Sequence, residues 1–151
     1  MTWDGVPFNA NSFRAQMRGF GETLTGRAED ATRQFMFDTC RAIAVKGEPW
    51  GVGTPIDTGF AANSWRVGLG QPMIGPVDLA TDGIPGEPNF VDLLRAPLGV
   101  EVYFTTACRY MRRLEYGWSQ RQAPAGMIRI VLGMGQAIMD SVAARFRAAF
   151  S

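Results

Sequence analysis

The sequence predicts an α+β domain: a small antiparallel β-sheet flanked by a long N-terminal helix and a long C-terminal helix, with a long Pro/Gly-rich loop between strands. Three observations carry this expectation. Apolar residues recur at helical spacing near both ends, two short alternating stretches lie between them, and a run dense in proline and glycine separates those stretches. At 151 residues the chain has the size of one domain, able to bury roughly 70% of its unfolded surface. Residues 1–151 are therefore read as a single domain without internal repeats.

Asn11 or Ser12 is placed to cap a helix beginning at Phe13, and Phe13, Met17, Phe20 and Leu24 follow at helical spacing. Gly19, Gly21 and Gly26 weaken its middle. The pattern strengthens again from Glu29, with Ala31, Phe35, Ala42 and Val45 on one stripe and Met36, Cys40 and Ile43 beside it, and stops at Lys46-Gly47 with Pro49 beyond. One long or broken helix is expected.

Residues 47–62 are turn-rich. From Asn63 the chain alternates, with Trp65, Val67 and Leu69 opposed to Ser64, Arg66 and Gly68, as in a half-buried strand. Gly70 to Pro97 holds five prolines and four glycines, including "TDGIPGEP", and reads as a long loop. "LGVEVYFTTA" resumes alternation: Val100, Val102 and Phe104 oppose Glu101, Tyr103 and Thr105 in a second strand.

"CRYMRRLEYGWS" fits a short helix that packs Tyr110, Leu114 and Met111, turns Arg109, Arg112 and Arg113 outward, and ends at Gly117. Met127, Val131, Met134, Ile138, Val142 and Phe146 then recur at spacings of three and four, so residues 124–150 read as a second long amphipathic helix starting near Pro124.

Composition narrows the function. Fifteen Lys+Arg against fourteen Asp+Glu leave no whole-molecule field that would favour nucleic acid, membrane or an acidic substrate. The chain has no histidine, which removes the usual general base, the commonest zinc ligand and every Ser-His or Cys-His nucleophile. Cys40 and Cys108 are isolated and read as reduced core or interface thiols. No basic n-region precedes an apolar run and no stretch approaches the roughly 20 apolar residues of a membrane span, so a soluble, cytosolic protein is expected.

One tripeptide raises an enzymatic possibility. Asp57-Thr58-Gly59, within "TPIDTGFAANSW", is spelled like the catalytic element of aspartic proteases, whose chemistry needs two carboxylates about 3 Å apart sharing a proton. A single copy would require a homodimer. Pro55 blocks strand pairing ahead of it, bulky Phe60 follows it, and "IRIVLG" at 128–133, which imitates the apolar-apolar-Gly element of those proteases, lies in a helical pattern. The preferred reading is structural: Asp57 and Thr58 bond the backbone around a turn that needs Gly59 and sets the entry to the strand at Trp65. The glycine-rich "GVGTPIDTG" and "LGMGQA" lack the spacing and lysine of a phosphate loop. Glu101 and Glu115 neighbour arginines and read as solvated ion pairs. No cofactor, metal or catalytic residue is expected.

Arg109, Arg112, Arg113 and Arg121 are interleaved with Tyr110, Tyr116 and Trp118. Arginine with aromatics is enriched at protein interfaces and also suits a nucleic-acid contact, while the plain alternative is a solvated helix face. Arg109, Arg112, Arg113, Glu115, Tyr116, Trp118 and Arg121 are the candidate interface residues.

Together, "TPIDTGFAANSW" and "CRYMRRLEYGWSQRQAPAGMIR" resemble two elements of the neck and tail-completion proteins of long-tailed bacteriophages. These are a T-P-[VI]-D-T-G turn leading to [NS]-W or -I, and a Tyr with Leu-Glu-Tyr-Gly and a Pro-x-Gly turn before the final helix. In order and with helices on both sides, the two span most of the chain. The resemblance implies a virion subunit of a ring, usually sixfold, assembled in the host cytoplasm between the head connector or stopper protein and the tail tube protein. Genomic DNA would pass through the ring, and no membrane is involved. It also implies that Asp57, Thr58, Gly59, Asn63 and Trp65 shape the first turn and strand, and Tyr110, Glu115, Tyr116 and Gly117 the second element. A tail-terminating or head-to-tail joining protein is the expected function. A dimeric aspartic-type protease and a small nucleic-acid-binding module are the alternatives. The loop at 70–97 is longer than the core pattern requires.

Overall fold

The computed structural model describes residues 2–3, 6–7, 10–47, 49–75 and 90–150. The expected α+β architecture is present. In chain order it comprises β1 (Thr2–Trp3), β2 (Val6–Pro7), α1 (Ala10–Ala44), α2 (Phe60–Asn63), β3 (Trp65–Leu69), a 3-10 helix (Val91–Arg95), β4 (Val102–Thr106), α3 (Met111–Glu115), α4 (Ile128–Gly133) and α5 (Gly135–Phe150).

The N-terminal helix is not broken. α1 runs for 35 residues, about 52 Å at the usual rise per residue. Gly19, Gly21 and Gly26 have open space where a side chain would stand, so they weaken helix propensity without marking a close contact. Among the described residues it is the second half of α1 that reaches the core, where Cys40, Ala42, Ile43 and Ala44 are buried and the helix meets α4, α5 and the 3-10 helix. Met17, Phe20 and Leu24 stay 53%, 59% and 48% exposed. Upstream of α1, β1 and β2 pair as a two-residue antiparallel ladder that the sequence reading did not anticipate.

β3 and β4 pair antiparallel from Trp65↔Thr106 to Leu69↔Val102. Trp65 stacks on Phe104 with ring centroids 4.5 Å apart and an interplanar angle of 5°, an arrangement that joins the two strands through their inward faces. The stretch 70–97 is not loop throughout. Phe90, Leu93 and Ala96 are buried around the 3-10 helix, with Phe90 against Phe37 and Phe104 and Arg33 Nε donating to the Ala96 carbonyl at 2.7 Å. Prolines excluded a longer helix but left room for a single tight turn driven by these apolar side chains. Residues 76–89, with all of "TDGIPGEP", lie outside the described residues.

The C-terminal helix begins at Ile128, four residues after Pro124, and is divided at Met134. Met134 is flanked by Gly133 and Gly135, and its N–H is shared between the carbonyls of Ile130 and Val131, as at a helix end where propensity is weak. The apolar spacing nevertheless holds across the division: Met127, Val131, Ile138 and Val142 are all fully buried. Arg145 of α5 pairs with Asp38 of α1. Cys40 and Cys108 are free and buried, and burial pushes the Cys40 thiol up to about 12. Among the described residues, no helix is long and apolar enough to cross a membrane.

Candidate functional site

The first motif is held in place by Thr54. This fully buried residue takes its position from Gly53, whose φ is +135° and whose Cβ would stand 2.6 Å from the Val45 and Lys46 backbone. Thr54 donates both its N–H (2.8 Å) and its hydroxyl (2.7 Å) to the Ile43 carbonyl near the end of α1. Its hydroxyl oxygen accepts from Trp65 Nε1 at 2.9 Å. The end of α1 and the start of β3 are thereby fastened to one side chain, which sequence reasoning did not single out.

Gly59 sits at φ +86°, ψ −8° and opens α2, so the turn does require glycine. Thr58 Oγ1 accepts from the Phe60 N–H at 3.4 Å, as expected. Asp57, expected to bond the backbone as well, is exposed and makes no hydrogen bond among the described residues. The turn relies on Thr58 and Gly59 instead. Asn63 closes α2, its N–H donating to the Gly59 carbonyl at 2.9 Å, and Trp65 is buried. The segment Thr54–Ile56 is not a strand, and Ile128–Gly133 is helical.

In the second motif the sequence reading needs correction at Glu115, expected to be a solvated ion pair. It is 8% exposed and lies over the start of α4, accepting the N–H groups of Met127 (2.9 Å), Ile128 (2.8 Å) and Arg129 (3.1 Å). Arg129 Nε adds a bond at 2.9 Å. A carboxylate satisfying the free donors of a helix N-terminus is favoured by both hydrogen bonding and the helix dipole. Burial alone would raise the Glu115 carboxyl, but the three backbone bonds and the Arg129 guanidinium outweigh it and hold it below its ordinary value. Glu115 therefore shapes the second motif and presents little surface to a partner. Gly126 lies beside it at φ +84°, with its Cβ position 2.2 Å from the Glu115 carbonyl oxygen.

Tyr110, expected to pack, is 42% exposed, whereas Met111 is buried. Gly117 ends the segment at φ +90°, as expected. Arg109, Arg112, Arg113 and Arg121 are all exposed, and Tyr116 and Trp118 are 67% and 72% exposed. The guanidinium of Arg113 lies 4.6 Å from the Trp118 ring centroid, and that of Arg129 lies 5.0 Å from Tyr116, both within cation–π range. The side chains of Arg109, Arg112 and Arg121 make no hydrogen bond or ion pair among the described residues.

The two motifs, far apart in sequence, meet in space. Gln122 donates to the Ile56 carbonyl at 3.2 Å and accepts the Ile56 N–H at 2.9 Å, and Lys46 Nζ donates to the Gln122 carbonyl at 2.7 Å. Between the motifs runs an open groove of about 280 Å³ walled by Pro55, Phe60, Tyr110, Leu114 and Trp118, with Asp57 its one carboxylate among the described residues. Burial, the neighbouring Cys108 thiol and then Asp57 raise the Tyr110 hydroxyl above its ordinary value, so it remains a neutral hydrogen-bonding group. The groove offers aromatic and aliphatic walls with Asp57 as its one charged lining residue, and Arg113 stands over the Trp118 ring beside it. Among the described residues, no cluster of three or more His, Cys, Asp or Glu is placed to hold a metal ion.

No family of proteins, curated protein or solved structure matches this chain.

Proposed function

We propose that this chain is a structural virion protein that forms a ring at the head-to-tail junction of a long-tailed bacteriophage, terminating the tail tube or joining it to the head connector. The observation that carries this reading is the convergence of both motifs, the ones that resemble neck and tail-completion proteins, onto one exposed surface. That segment combines exposed Trp118 and Tyr116 with the exposed Arg109, Arg112 and Arg121, whose side chains have no partner among the described residues. Exposed arginines and aromatics in one segment are the composition of an assembly interface. The uncovered stripe of Met17, Phe20 and Leu24 on α1 adds apolar surface of the kind that subunit packing removes from water.

The protease alternative finds less support, because Asp57 lies on an exposed turn after a segment that is not a strand. The proposal is tested by replacing Arg112 and Arg113 together with Ser and counting tail-joined heads by electron microscopy. Tailless heads and free tails are expected, since removing one partner of a desolvated charge pair costs roughly 2–5 kcal/mol of association. Normal joining with impaired DNA delivery would instead assign the arginines to the nucleic acid and overturn the interface reading.

A further inference from the structure

Two uncovered surfaces of the chain match each other. The first is the N-terminal half of α1, where Met17, Phe20 and Leu24 are about half exposed and fall within an arc of roughly 60° around the helix. Arg14 stands at the edge of that arc, roughly 60° beyond Met17, and Glu22 falls on the far side. Positions 14–25 carry Arg14 and Arg18 against Glu22 alone. A surface approaching the stripe therefore meets apolar side chains bordered by a cation.

The second surface is the groove between the Gly59 turn and Trp118. Its walls include Phe60, Tyr110, Leu114 and Trp118, and Asp57 is its one charged lining residue. The Phe60 and Tyr110 rings lie 6.3 Å apart, and Trp118 is 72% exposed. Asp57 has no hydrogen bond or ion pair among the described residues. A carboxylate beside aromatic faces selects a cation, because ion pairing and the attraction of a cation to the rings act together.

We propose that the N-terminal half of α1 of one copy docks in this groove of a second copy, with Met17, Phe20 and Leu24 against Phe60, Leu114 and Trp118 and the Arg14 guanidinium on the Asp57 carboxylate. Charge supports this occupant, since the cation borders the apolar stripe and the carboxylate lies among the apolar walls. Form supports it too: anchors at i, i+3 and i+7 are the pattern by which an amphipathic helix enters an apolar groove, and about 280 Å³ admits side chains of such a face rather than a folded domain. Continuity makes the contact intermolecular. α1 is unbroken from Ala10 to Ala44 and its second half is fixed in the core, so the first half, roughly 24 Å long over residues 10–25, stays out of its own groove unless the helix breaks.

Every copy then supplies one helix and one groove. Such head-to-tail contacts close into rings when the rotation between copies allows. The inference rests on the proposed function only in requiring self-association, and it is tested in solution without heads or tails.

Four variants of the full chain decide it: Arg14→Glu, Asp57→Lys, both changes together, and Phe20→Gln. All three positions are exposed, so thermal unfolding should match wild type. Sedimentation velocity at low salt should show wild-type self-association that weakens as salt rises. Each charge reversal and Phe20→Gln should weaken it at least about 10-fold, and the double reversal should recover most of the loss, because every contact then has its charges exchanged.

A wild type that stays monomeric at every concentration tested would overturn the proposal. So would a double reversal no tighter than either single change. Association lost in Phe20→Gln but untouched by Asp57→Lys would place the stripe against the stripe of a second copy instead of the groove. Recovery by the double reversal together with normal head-tail joining by the Arg112→Ser, Arg113→Ser virion would leave this contact standing and remove the arginine interface at the junction.

Discussion

Thr54 and Glu115 are two small polar sites on which larger elements depend. Thr54→Val keeps the shape of the side chain but removes the acceptor for Trp65 Nε1 and a donor to Ile43, leaving a buried indole N–H unsatisfied. A loss of about 1–3 kcal/mol in urea unfolding is expected, with Thr54→Ser retaining most of the stability. For Glu115 the expectation concerns pH. Its folded carboxyl is held below its ordinary value, so its contribution is complete above the unfolded value of about 4.3 and is lost as pH falls through the lower folded value. Glu115→Gln should therefore melt lower than wild type at neutral pH, and the difference should shrink at acid pH. A difference in melting temperature independent of pH would show that the charge contributes nothing.

At the scale of elements, glycines of identical composition have opposite roles. Gly126 has positive φ and backbone 2.2 Å from its Cβ position, whereas Gly19 lies in open helix with nothing within 4 Å. Gly126→Ala should destabilise the chain by at least about 2 kcal/mol, as a strained left-handed residue in a blocked site does. Gly19→Ala should strengthen α1 by up to about 1 kcal/mol, read as increased helical circular dichroism and slower local amide exchange. Equal effects at the two sites would contradict the packing described around Glu115. The division of the C-terminal helix at Met134 follows the same logic, because two flanking glycines lower the propensity to continue while the buried stripe on both sides preserves the packing.

Across the whole molecule, stability is expected to be uneven. Among the described residues the buried side chains of α1 all lie in its second half, and residues 11–25 are exposed wherever a side chain is described. Local opening of such a segment costs far less than global unfolding. Limited trypsin treatment should cut first at Arg14, Arg18 or Arg27 and leave a resistant fragment containing both β3–β4 and α5, identified by mass spectrometry. Early loss of α5 instead would mean that its packing on α1 is weaker than the buried Ile138 and Val142 imply. If copies assemble through the Met17–Leu24 stripe, the same cuts should slow in the assembled state.

The sequence by itself determined the features that are local: the buried stripe from Met127 to Val142, the alternation of the two strands that pair, and the positive-φ glycines at Gly59 and Gly117. Each leaves a periodic or single-residue trace because it follows from backbone geometry. Tertiary structure alone decided that Glu115 is buried over α4, that Thr54 joins Ile43 to Trp65, and that Gln122 clasps Ile56 across 66 positions. It also decided that Met17, Phe20 and Leu24 remain uncovered while Phe90 and Leu93 enter the core. Periodicity identifies an apolar face but not what covers it, and a hydrogen bond between distant positions leaves no pattern along the chain.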